Sequence, residues 1–173
     1  MRLILIGAGG YGKTVADVAS QLGVYDEICF LDDNSTEDLV IGKCSDYARF
    51  IDDRTVFYPA FGNNEFRLQF IERLMEDKAR VPVIIHPSAY VSPTAKIRDG
   101  VVVLPNAIVN TDVVVEPGCI INCGSIIDHG CVISKGVHIC LGAIVKAENR
   151  IPAFMKIEAG QVVENRKFPL KEV

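Results

Sequence analysis

The sequence of 173 residues has no tryptophan, only three histidines and three methionines, and no unbroken apolar run approaching 18 residues. The last absence argues against a membrane-spanning helix. The apolar stretch in "MRLILIGAGGYG" is too short for a signal sequence and no small-residue cleavage site follows it. A cytoplasmic setting is therefore expected, with the six cysteines as free thiols rather than disulfides. The chain also lacks a basic excess. Its net charge of −4 argues against a partner with a nucleic-acid backbone, while backbone N–H groups can still hold a small anion. Hydrophobic content of 49% and charged content of 23% are globular values, and the length suits one domain or two small ones.

Because histidine is scarce, its placement is informative. "IIDHGCVISKGVHI", residues 126–139, holds His129 and His138, nine residues apart. Their surroundings repeat. Counting by six from Ile85 to Val163, fourteen consecutive positions are Ile or Val. Four residues after each, from Ala89 to Ala143, ten consecutive positions hold only Ala, Val, Cys or Ser. Three residues after, glycine occurs at 100, 118, 124, 130, 136, 142 and 160, which accounts for every glycine beyond Gly62. A six-residue period of β-branched residues marks a hexapeptide β-helix, whose short strands stack coil on coil around one buried ladder. The glycine phase marks where the backbone turns or approaches a neighbour closely. Cys119 and Cys131 fall in the small inward register and read as core fillers. Cys123 and Cys140 do not, and no paired base marks either as a nucleophile. After Val145 the small register fails at Asn149, Met155 and Gln161, which predicts an irregular last coil.

The front half reads differently. "RLILI" predicts a buried strand, "GAGGYG" a glycine turn, and the next residues a helix to about Leu22. "EICFLDD" and "RTVFYPAFG" predict two more strands. A second helix follows, with Asn63 or Asn64 as N-cap and Phe66, Phe70 and Leu74 on one face. This is a βαβ-type parallel sheet. Gly7, Gly9 and Gly12 satisfy G-x-G-x-x-G and Asp32 lies twenty residues past Gly12, the spacing of a dinucleotide fingerprint. The second βαβ half of a full NAD site is missing, so a mononucleotide or nucleotide sugar fits better. Residues 1–80 form the expected nucleotide-binding unit and residues 81–173 the β-helix. No metal ligands are identified.

The combination resembles the PglD/NeuD family of hexapeptide-repeat sugar acetyltransferases, on "GAGGYGKTVADV", "FLDD", "FGNNEFR", "IHPSAYVSPTA" and "NCGSIIDHGCVISKGVHICLGA". The resemblance implies an α/β Rossmann-like domain followed by an all-β left-handed parallel β-helix, with three hexads per triangular coil of eighteen residues. It implies acetyl-CoA as co-substrate, a UDP-4-amino sugar as acceptor (the branch toward which "FGNNEFR" leans), and a homotrimer with sites between neighbouring β-helices. By the same resemblance the nucleotide-sugar contacts fall on Gly9, Gly10, Tyr11, Asp32, Asp33 and Gly62. The general base falls on His129, and contact with acetyl-CoA on His138 and Gly142.

The chemistry is sound on its own terms. A sugar amine loses a proton as it attacks a thioester, and an imidazole near neutral pKa can take it. No acyl-enzyme nucleophile is required. Nine residues is half a coil, so His129 and His138 of one chain are expected on different sides of the prism, sharing a site only through a second chain.

Three positions depart from the family pattern. Gly130 stands where an acid usually follows the catalytic histidine, Tyr11 stands where the glycine loop usually has histidine, and "ENRKFPLKEV" is short of further coils. Asp112 and Glu148, one coil below and above Gly130 and each about 4.8 Å away along the stack, are the candidates to replace the acid. The competing readings are a sialic-acid-type sugar O-acetyltransferase, a non-catalytic nucleotide-sugar-binding scaffold, and an NAD-binding module.

Overall fold

The computed structural model describes residues 1–170 and divides into two compact units, Met1–Pro82 and the chain from Val83 on. In the first unit, β1 (Arg2–Ile6), α1 (Gly10–Ser20), β2 (Glu27–Leu31), β3 (Thr55–Pro59) and α2 (Asn64–Glu76) follow in order. The strands form a parallel sheet in the order β2-β1-β3. Leu3 to Ile6 of β1 are wholly buried, as a central strand covered on both faces requires. Asn63 caps α2 by accepting the Phe66 N–H at 2.8 Å. Phe70 and Leu74 are buried as the helical spacing predicts, whereas Phe66 is 49% exposed and leans on Phe61, ring centroids 4.6 Å apart. A 3-10 helix over Cys44–Phe50, for which the sequence offers no periodic signal, leads from β2 towards β3 and buries Tyr47.

The second unit is a three-sided β-helix. Fourteen two-residue strands run from Ile84–Ile85 to Val162–Val163 among the described residues. They stack as three parallel sheets of five, five and four strands, each strand pairing with one eighteen residues away. The second residue of each strand points inward, so that Val103, Val109, Val115, Ile121, Ile127, Ile133, Ile139 and Val145 form one continuous core with the small register, Cys119 and Cys131 included. All twelve positions of the glycine phase from Gly100 to Arg166 have φ between 54° and 71°, including the non-glycines Asn106, Asp112, Glu148, Phe154 and Arg166. The glycine phase is therefore a left-handed corner, and glycine suits it because a Cβ is strained there.

The last coil is regular, contrary to the irregularity the sequence predicts. Arg150, Lys156 and Val162 pair in register with Val132, His138 and Ile144. At the first failure of the small register, Asn149 turns fully inward and is satisfied there. Its Nδ2 donates to the carbonyls of Lys146 (2.8 Å) and Glu164 (2.9 Å), and its Oδ1 accepts the Phe168 N–H (2.9 Å).

Candidate active site

In the first unit the functional candidates gather at the carboxyl edge of the sheet. Because β1 lies between β2 and β3, the chain passes from β1 to the neighbour on one side and then crosses back to the other side, and such a switch point is where open α/β sheets bind ligands. Gly9, Gly10 and Tyr11 follow β1, Asp32 and Asp33 follow β2, and Gly62 follows β3. The glycines have distinct causes. A Cβ on Gly12 would lie 2.1 Å from the Gly7 carbonyl oxygen, so close packing of helix on loop demands that glycine. Gly9, Gly10 and Gly62 have ordinary φ and open space where a Cβ would sit, so the fold itself does not demand them.

Tyr11 is half-buried, its hydroxyl 2.7 Å from that of Tyr58 on β3. Burial, and then the neighbouring Tyr58, push its pKa well above the usual phenol value, so it stays protonated where a histidine would titrate. Asp32 is not an open acceptor. Its Oδ2 takes the Ala8 N–H and its Oδ1 takes those of Asn34 and Ser35, each at 2.8 Å. These bonds, the one from Ala8 foremost, hold its pKa below the ordinary carboxylate value.

In the β-helix, His129 lies at the corner between the strands Ile126–Ile127 and Val132–Ile133, exposed. His138 begins the strand His138–Ile139 on the remaining face, which a three-sided coil sets opposite that corner. The two imidazoles of one chain are therefore on different sides of the prism. Asn122 Nδ2 donates to His138 Nε2 at 3.1 Å, fixing that ring. Asn122 lies sixteen residues before His138, nearly one coil, and coil arithmetic would have found it. Gly142 occupies the corner that follows His138, with φ 62° and open space at its Cβ position; Gly124 and Gly160 repeat this one coil to either side.

No carboxylate among the described residues is hydrogen-bonded to the His129 ring. Asp128 Oδ1 accepts the His129 backbone N–H at 2.7 Å and the Asn110 amide at 3.4 Å. Glu148 shares the corner register of Gly130, and its Cγ lies 3.8 Å from where a Gly130 Cβ would be. Its carboxylate is engaged by Arg166, the next residue along the same corner. Asp112 is exposed, and its backbone N–H donates to Thr94 Oγ1 at 2.9 Å. Among the described residues neither Asp112 nor Glu148 forms a hydrogen bond with the His129 ring.

Comparison with known proteins follows the two units. The family model for the PglD N-terminal domain matches residues 2–74. UDP-N-acetylbacillosamine N-acetyltransferase of Bacillus subtilis (strain 168) is 33% identical over 108 residues, 58% of this chain. The matched part is half of that relative's length. The acetyltransferase domain of PglB from Neisseria gonorrhoeae FA1090 superposes with a TM-score of 0.92 at 36% identity, covering 95% of this chain and 83% of that one. The same domain in complex with acetyl coenzyme A gives a TM-score of 0.91. A variant of GDP-perosamine N-acetyltransferase from Caulobacter crescentus, in complex with CoA and GDP-perosamine, shares the fold at 22% identity and a TM-score of 0.80 over 98% of this chain. With a Rossmann-like unit running into a left-handed β-helix, and a match of this kind along nearly its whole length, the chain belongs to the PglD-like family of hexapeptide-repeat sugar acetyltransferases.

Proposed function

We propose that this chain transfers the acetyl group of acetyl-CoA to the amine of a nucleotide-linked sugar, a UDP-4-amino sugar above others. The observation that carries the reading is the likeness, at 36% identity over 95% of the chain, to an acetyltransferase domain whose structure holds acetyl-CoA. The diphosphate of the acceptor would lie against Gly9 and Gly10, at the amino end of α1, where backbone N–H groups lack helical acceptors. Tyr11, Asp33 and Gly62 complete that edge, with Asp32 behind it.

His129 is the proposed general base. The amine attacks the thioester carbonyl, forming a C–N bond, while the imidazole takes the amine proton; collapse breaks the C–S bond, and the proton passes to the departing CoA thiolate. Glu148 is the better placed of the two candidate acids, because its stem fills the space beside Gly130 where the stem of an acid at that position would start. Its partner Arg166 is mostly exposed, and exposed ion pairs contribute only about 0–1 kcal/mol, so exchange of Arg166 for His129 is cheap. His138 and Gly142 are proposed to meet acetyl-CoA.

A second chain brings the two histidines together. The outward residues of one face are apolar in every coil: Tyr90, Ile108, Ile126, Ile144 and Val162, with Tyr90 54% and Val162 42% exposed. This ladder adjoins both the His129 corner and the Gly142 corner. It supports a homotrimer with sites between neighbouring β-helices.

The test is CoA thiol release from acetyl-CoA with a UDP-4-amino sugar, comparing wild type with His129→Ala. A loss of about 10² to 10⁴ in turnover is expected for a general base. Wild type that binds the UDP-sugar but releases no CoA would be a nucleotide-sugar-binding scaffold, as the engagement of Glu148 by Arg166 would favour. Turnover with sialic acid alone would make the acceptor a hydroxyl.

A further inference from the structure

At the end of β2 two acids stand side by side, and their surroundings differ. Asp32 accepts three backbone N–H groups at 2.8 Å: Ala8 on one oxygen, Asn34 and Ser35 on the other. The first bond ties the glycine loop to the strand end, next to the 2.8 Å bond from the Gly7 N–H to the Leu31 carbonyl. These two anchors fix consecutive peptide units immediately before Gly9, and so fix where the N–H groups of Gly9 and Gly10 point. Asp33 is exposed. Its Oδ1 accepts the Cys44 N–H at 3.0 Å, and the neighbouring Cys44 thiol is a second, weak donor to its carboxylate.

We propose that the two acids divide the work: Asp32 is a positioning residue that buckles the glycine loop in its phosphate-binding shape, and Asp33 alone accepts from the ribose hydroxyls of the nucleotide. The assignment rests on the reading that a nucleotide sugar occupies this edge. It departs from the spacing argument, which gives the ribose to Asp32. Three backbone donors leave Asp32 one lone pair on one oxygen, whereas Asp33, met by one backbone N–H and a weak thiol donor, is exposed and keeps acceptor capacity at the surface.

Calorimetric titration with UDP and with 2′,3′-dideoxy-UDP separates the roles. Asp33→Asn should weaken UDP by roughly ten- to a hundredfold, the range of a charge-assisted hydrogen bond, and leave the dideoxy compound almost unchanged. Asp32→Asn puts an amide donor against the Ala8 N–H or unmakes the turn, and should weaken both compounds by the same factor. A penalty in Asp32→Asn that disappears with dideoxy-UDP overturns the division, as does an Asp33→Asn penalty equal for both. Amide hydrogen exchange at Ala8 tests the buckle in the ligand-free protein: faster exchange in Asp32→Asn by tenfold or more is expected, and unchanged protection refutes it. Wild type that binds neither compound would end the nucleotide reading and the role of Asp33 with it, while exchange at Ala8 would still decide that of Asp32.

Discussion

The carboxylate of Glu148 lies in the grip of Arg166, eighteen residues further along the same corner of the β-helix, while its stem passes within 3.8 Å of the Cβ position that Gly130 leaves empty. The side chain is thus placed like an acid at 130 but paired away from His129. Glu148→Gln is expected to lower turnover about ten- to a hundredfold, as loss of a partner that orients a histidine does, with stability little changed. Asp112→Asn should leave turnover within a few-fold of wild type. Arg166→Gln should preserve or raise turnover. A steady-state comparison of the three variants decides among them, and equal activity in all three would remove Glu148 from the site.

Adjacent residues of one strand should fail in different ways. Ile127 points into the core and is fully buried, whereas Ile126 faces outward on the apolar ladder. Ile127→Ala should cost about 2–5 kcal/mol in denaturant unfolding. Ile126→Lys should alter the fold stability of a single chain little and shift sedimentation towards monomer. A variant at Ile126 that remains fully assembled would place the interface on another face.

The β-helix was legible because its period is set by local geometry: inward Ile or Val, a small residue, and a left-handed corner recur every six residues, so register follows from counting. The same counting pairs 148 with 166 and brings 122 close to 138, so Arg166 and Asn122 were available to it. Three features were not legible. Phe66 matches the helical spacing of Phe70 and Leu74, yet sits in the first turn, where the core no longer covers it. The 3-10 helix over Cys44–Phe50 has no amphipathic period. Asp32 stands where a ribose acid belongs, and sequence spacing cannot show that backbone donors converge on it.

Glycines required for different reasons should respond differently to alanine. Gly124 has φ 65° and, among the described residues, open space where a Cβ would sit, so Gly124→Ala should cost only the left-handed backbone strain, about 1–2 kcal/mol. Gly12→Ala has an allowed helical backbone but meets the Gly7 carbonyl at 2.1 Å. It should cost more and, because the loop must shift, weaken UDP binding as well. Thermal unfolding and UDP titration of the two variants check the contrast.

Asn149 tests whether the last coil is held by its core or by a polar plug. The residue is fully buried at the register where the coils below place Ala, Val or Cys, and it satisfies the carbonyls of Lys146 and Glu164 together with the Phe168 N–H. The Arg150 N–H donates in turn to the Phe168 carbonyl at 2.7 Å, and the Phe168 side chain packs against the core. Asn149→Ala restores the small register but leaves these groups without their partner, at about 1–3 kcal/mol for each buried group left unsatisfied. If the plug holds the coil, Asn149→Ala will be destabilised and its backbone around 164–168 will lose exchange protection before the coils below. If the ladder alone suffices, Asn149→Ala will match wild type, because a small residue at that register is what the other coils use.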